Sequence, residues 1–113
     1  PAPGQGALAV ECRAEDGETL GYLAAVEDPA ARLATVAERS FLAALGGGCS
    51  LPVAAYGAVL NGSIQLTGAV ASLDGQTVIR VQGQGNDPHT LGAELAQEAL
   101  ARGAGEILLS TTR

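Results

Sequence analysis

Aromatic side chains are scarce in this 113-residue chain, at 3% of residues, although apolar residues make up 47%. The core must therefore be assembled from Ala, Val, Leu and Ile, which supports a packed fold of modest stability. No apolar run approaches the ~20 residues needed to cross a bilayer. A basic-then-apolar leader is also missing, so a soluble, cytoplasmic protein with no membrane partner is expected. Histidine occurs once, as His89, and cysteine twice, as Cys12 and Cys49, without a CxxC spacing. That count excludes a disulfide framework and argues against a zinc site or a redox dithiol.

Lysine is absent. The six cations are all arginine (Arg13, Arg32, Arg39, Arg80, Arg102 and Arg113), scattered along the chain against twelve carboxylates, for a net charge of −6. Binding nucleic acid requires a basic stripe to displace counterions, and none exists here. A small polyanion would be equally poorly held by these residues alone.

What is present reads as one small domain, or a domain with a piece of another. A Pro/Gly turn opens the chain, and Ala7-Leu8-Ala9-Val10 then reads as a strand buried on both faces. A strand on its own has no partner, so its sheet is expected in a different domain, with Cys12 packed inside. The Gly4-x-Gly6-x-x-Ala9 spacing is no dinucleotide fingerprint, because that motif follows a strand and opens a helix. After Asp16-Gly17 a short helical pattern places Leu20, Leu23, Ala24 and Val26 on one side.

The main helix begins with Asp28 as N-cap and Pro29 in the first turn, and Gly46 ends it. Leu33, Val36, Ala37, Ser40, Phe41, Ala44 and Leu45 form its apolar stripe. Glu38 and Arg39 flank that stripe as a solvated, salt-bridging edge. Three strands follow, Tyr56–Leu60, Ile64–Val70 and Val78–Gln82, joined at Asn61-Gly62 and Asp74-Gly75, dipeptides suited to two-residue hairpins. Ile64, Leu66 and Val70 share the covered face, with Gln65 and Thr67 on the wetter one. A second helix runs from the Asp87 cap to Gly103, with Gly92 marking close packing against the sheet. His89 in its first turn reads as solvent-facing, and Ile107-Leu108-Leu109 docks the C-terminus.

Cys49 stands apart. It ends the run Gly46-Gly47-Gly48, and Pro52 stiffens the exit into the first strand. A free cysteine is commonly a small buried hydrophobe, and glycine-terminated helices are common. A mobile approach to the thiol equally suits a group that must reach out and form a bond.

The surrounding text carries a resemblance. Pro1-Ala2-Pro3-Gly4-Gln5-Gly6-Ala7-Leu8-Ala9-Val10-Glu11-Cys12-Arg13, Ala37-Glu38-Arg39-Ser40-Phe41-Leu42 and Gly47-Gly48-Cys49-Ser50-Leu51-Pro52 together resemble the C-terminal third of the porphobilinogen deaminase (hydroxymethylbilane synthase) family, from Pro1 to about Leu109. The family pattern carries Glu where Gly46 stands. The resemblance implies a transferase that joins four porphobilinogen units into hydroxymethylbilane for tetrapyrrole (haem, chlorophyll and corrin) biosynthesis. It implies that Cys49 holds a dipyrromethane primer through a thioether, formed when the soft thiolate adds to the electrophilic azafulvene left by deamination. It also places Gln5 and Gly6 at the edge of the second domain, beside the cleft. The acid/base carboxylate and the arginines for the substrate's acetate and propionate groups have no counterpart in this chain, so no catalytic residue is assigned and the chain alone is expected to be inactive.

The expected fold is α+β: a three-stranded antiparallel sheet covered by helices, preceded by one strand belonging to the previous domain. Residues 1–26 are expected to be the end of that second domain and a linker, and residues 27–113 the cofactor-attachment domain. The partners implied are the N-terminal domains of the same enzyme and porphobilinogen. Two other readings are a non-catalytic ligand-binding or regulatory module with Cys49 buried, and a thiol enzyme using Cys49 as nucleophile with His89 as base.

Overall fold

A computed structural model of the chain describes residues 2–46 and 52–111. Helices α1 (Gly17–Val26) and α2 (Pro29–Ala44) precede strands β1 (Val53–Leu60), β2 (Ser63–Ala71) and β3 (Val78–Gly85), and helices α3 (Pro88–Ala101) and α4 (Ala104–Thr111) follow. The strands form one antiparallel sheet in the order β1-β2-β3, as the turn chemistry predicts. The expected α+β fold is therefore found.

Local sequence explains each helix start. Asp28 accepts from the amides of Ala30 and Ala31 with Pro29 in the first turn, and Asp87 accepts from His89 with Pro88 placed alike. Asp16 caps α1 by accepting from Thr19. Gly46, at φ 84°, closes the end of α2 in the left-handed region that glycine enters without strain.

The core lies between one face of the sheet and helices α2 and α3. Phe41, Ile64, Leu66 and Val70 are its largest fully buried side chains, and Ala37, Ala96 and Ala99 let the helices come close. Burying a side chain such as Phe41 contributes about 1.5–3 kcal/mol. The buried stripe of α2 is Ala34, Ala37, Glu38 and Phe41, whereas Ala44 lies exposed. Gly92 packs against α2 and not the sheet: a Cβ there would stand 2.6 Å from Ser40 Cβ and 2.7 Å from the Ala37 carbonyl oxygen. Its missing side chain allows two helices, rather than a helix and a sheet, to touch.

Both free edges of the sheet are occupied by a charged side chain from a helix or its end. Gly57 and Arg80 lie opposite Leu66 and Ala69 in the ladder, where their own backbone groups point away from β2. The Gly57 amide donates to Glu38 at 2.7 Å, and the Arg80 carbonyl accepts from Arg102 at 2.6 Å. Charged groups at such positions oppose pairing with another strand.

Residues 7–13 pair with no strand among the described residues, and Leu8 is 99% exposed, their expected sheet lying in a different domain. Several other expectations are corrected. Cys12 is half-buried rather than packed, its thiol donating to the Arg13 carbonyl at 3.4 Å. No residue of α1 is buried, so its apolar side has no partner among the described residues. Asn61-Gly62 makes the tight turn, with φ of 53° and 78°. The second connection is a longer loop over 72–77, in which only Gly75 has positive φ and Ser72 and Asp74 bond each other. The Ser72 and Asp74 side chains satisfy the amides of Thr77 and Gln76, which stabilises the longer loop.

Candidate functional site

The N-terminal turn is held by its own backbone and by Gln5. The Gln5 amide donates to the Ala2 carbonyl at 3.0 Å and the Ala7 amide to the Gly4 carbonyl at 3.1 Å, while Gln5 Oε1 accepts from the Ala2 amide at 2.9 Å. Gly4 takes φ 75°, which glycine alone adopts freely. The turn lies over α2 and β1, enclosing an open cleft of about 210 Å³ in which Gln5 and Gly6 face Thr35, Glu38 and Tyr56.

Glu38 lies at the back of this cleft and is 8% exposed. Oε1 accepts the Gly4 amide at 2.6 Å and Oε2 accepts the Gly57 amide at 2.7 Å. Both are short bonds to an ionisable acceptor, the strong class of protein hydrogen bond. Gly57 permits the approach, since a Cβ there would be 2.8 Å from the Ala34 carbonyl oxygen. The expected solvated edge holds for Arg39, which is exposed, and fails for Glu38. The overlooked signal is positional. Glu38 falls four residues after Ala34 and three before Phe41, on the buried stripe itself, where a carboxylate needs dedicated donors.

Cys49 lies outside the described residues, and so does the rest of the 47–51 segment. The chain on either side is well anchored. Leu45 and Val53 are both buried, and the Pro52 carbonyl accepts from the Ala71 amide at 3.0 Å. The cysteine segment therefore closes an α2–β1 unit whose members meet again at Ala34, Glu38 and Gly57. From Glu38 to Ala44 is about 9 Å of helix, and from Gly57 to Val53 about 13 Å of strand. The structure thus brings Gln5 and Gly6 to Glu38, and sets that cleft a helix-and-strand length from the anchors of the cysteine segment.

His89 is engaged elsewhere. It is exposed, and its Nδ1 lies 3.2 Å from Ser40 Oγ at the contact of α3 with α2. A second, larger hollow of about 580 Å³ lies between the 72–77 loop and the α3–α4 junction, with Arg102 and Leu73 on its walls. No group of three metal-ligating side chains occurs among the described residues.

Three carboxylates, Asp74 and Asp87 exposed and Asp16 half-buried, titrate below their ordinary value. The Thr90 hydroxyl and then the His89 amide hold Asp87 down. The Thr19 amide and hydroxyl do so for Asp16, and the Ser72 hydroxyl followed by the Gln76 amide for Asp74. All three cap a helix or a loop, and none faces the cleft at Glu38.

With this geometry in hand, residues 32–101 match the family model described as "Porphobilinogen deaminase, C-terminal domain". The chain belongs to the porphobilinogen deaminase family. Among similar proteins, the porphobilinogen deaminase of Brevibacillus brevis is 50% identical over 114 residues, covering 100% of this chain and 37% of its own length. That of Synechococcus elongatus is 50% identical over 95% of this chain and 34% of its own length. The Deinococcus radiodurans protein is 48% identical over 96% of this chain and 36% of its own length. The chain thus spans about a third of the length of the curated relatives it matches. The family match covers most of α2, the Cys49 segment, the sheet and α3.

Proposed function

We propose that this chain is the primer-bearing C-terminal domain of a porphobilinogen deaminase, with Cys49 as the covalent anchor. The observation that carries the reading is the match of the whole chain to enzymes of that name, with the cysteine falling in the segment that closes α2 onto β1. The complete enzyme would take porphobilinogen as substrate and join four units into hydroxymethylbilane. The dipyrromethane group supplies the primer to whose free end pyrroles are added.

The residues present fit a tether. A thiolate is a soft nucleophile suited to a lasting bond with carbon, and the buried Leu45 and Val53 fix both approaches to its segment. They do not supply charge for a polycarboxylate: the cleft containing Gln5 and Gly6 is lined by no cation. Arginines for the acetate and propionate groups, and the acid/base carboxylate, would come from the other two-thirds of the enzyme. No helix among the described residues is long and apolar enough to cross a membrane, and the cytoplasm is the proposed compartment. A division at residue 26 is supported by burial, since the core is drawn from Ala34 to Leu108 and α1 contributes nothing to it.

Cys49→Ser in a full-length protein tests this. Serine is nearly isosteric but scarcely ionised near neutral pH, so it offers no soft anion. The parent should gain the mass of the primer after exposure to porphobilinogen or hydroxymethylbilane, and the variant none. Cofactor-free forms should melt alike, because loop substitutions usually shift stability by no more than about 0.5 kcal/mol. Normal loading of the serine variant would overturn the assignment.

A further inference from the structure

The charge on Glu38 is not absorbed by the proposed chemistry. A carboxylate 8% exposed, held by two backbone amides from chain segments far apart in sequence, is an uncommon way to build a helix face. Of its two donors, Gly57 belongs to the sheet and would be fixed by the β1–β2 ladder in any case. Gly4 belongs to a turn whose other hydrogen bonds, among the described residues, are all internal to residues 2–7, so Glu38 is the polar contact that ties it to the described domain body.

We propose that Glu38 is a positioning residue: its carboxylate latches the Gln5–Gly6 turn to the α2–β1 unit that carries Cys49. The inference rests on the reading of Cys49 as the tether. One oxygen is committed to the strand and the other to the turn, so the carboxylate sets the spacing between them. Releasing the turn would strip one oxygen of its donor inside a largely buried site, which favours the latched arrangement. The rigid pieces between latch and anchor are six residues of helix and four of strand, so a shift of the turn relative to Glu38 is a shift relative to Ala44 and Val53, on either side of the cysteine segment. Gly57 is required for the same reason, since any side chain there would push β1 off Ala34 and away from Oε2.

The test is Glu38→Gln in the full-length protein, with Arg39→Gln, its exposed neighbour, as control. Glutamine keeps the size but accepts at one atom only, and sets an amide donor against the second N–H. Hydrogen exchange within residues 2–7 should become at least about tenfold faster in Glu38→Gln. Exchange in β2 should be unchanged, and Arg39→Gln should resemble the parent throughout. Primer loading, followed by intact mass on the same samples, should slow by at least about tenfold, as misplacement near 1 Å can do. Unchanged exchange at residues 2–7, or a rise spread evenly over the whole chain, would overturn the latch. A loosened turn with loading at the parental rate would overturn the positioning role. If the parent itself gains no mass, the tether reading fails while the exchange result still decides the latch. Should Glu38→Gln fail to fold, the parent suffices: a Gly4 amide exchanging as fast as an unstructured one overturns the proposal.

Discussion

The Phe41 ring fills the place that a side chain at residue 68 would need: a Cβ on Gly68 would stand 2.5 Å from Phe41 Cζ and 2.7 Å from Cε2. Phe41 is the one phenylalanine in the chain and is fully buried, so the centre of the sheet is bare where α2 crosses it.

Gly68→Ala should therefore destabilise the domain by about 1–3 kcal/mol through overpacking. Alanine in a strand would otherwise gain about 0.5–1 kcal/mol over glycine. Denaturant unfolding of Gly68→Ala, Phe41→Leu and the pair gives a double-mutant cycle. The pair should be more stable than the sum of the single changes implies, because the smaller side chain vacates part of the contact. Strict additivity would mean that the two positions do not compete for one space.

The same change in two helices should have opposite signs. Gly92→Ala puts a methyl 2.7 Å from the Ala37 carbonyl oxygen and 2.8 Å from the Phe41 amide nitrogen, both backbone atoms of α2. Nothing there yields short of moving a helix, so a loss of about 1–3 kcal/mol is expected despite alanine's better helix propensity. Gly21→Ala in α1 meets no atom within 4 Å and should gain up to about 1 kcal/mol in local helix stability. The check is thermal melting for the first and amide exchange of α1 for the second.

Acid should weaken the helix and loop caps. Asp16, Asp74 and Asp87 titrate below their ordinary value of 3.8, so the folded chain binds their protons less readily than the unfolded chain does. Their contribution is present above about pH 3.8 and is lost as pH falls through the lower folded values. Asp87→Asn keeps a capping oxygen without the charge. It should leave the neutral melting temperature almost unchanged and flatten the acid limb of a melting-temperature profile. An acid limb identical to the parent's would remove Asp87 from the account.

Much of the architecture was legible because it is local. Asp28-Pro29 and Asp87-Pro88 mark helix starts, Gly46 and Gly103 mark the stops, and Asn61-Gly62 makes the hairpin, each by chemistry confined to a few adjacent residues. The Asp74-Gly75 connection departs from the tight turn its dipeptide favours because Ser72 and Asp74 offer the loop its own hydrogen bonds, and these outweigh that preference. Gly92 packs closely as expected but against α2 and not the sheet, since periodicity marks a buried face and not what covers it.

The sequence by itself determined the order of the elements from α1 to α3, the alternation that buries Ile64, Leu66 and Val70, and the family strings around Cys49. Tertiary structure alone decided the standing of Glu38. Its charge and its place beside Arg39 suit a wet helix edge, and only the return of Gly57, 19 residues later, and Gly4, 34 residues earlier, makes it a buried acceptor. For residues 7–13 the apolar pattern fits a strand, but they pair with none among the described residues, since a strand exists only where another backbone supplies its hydrogen bonds.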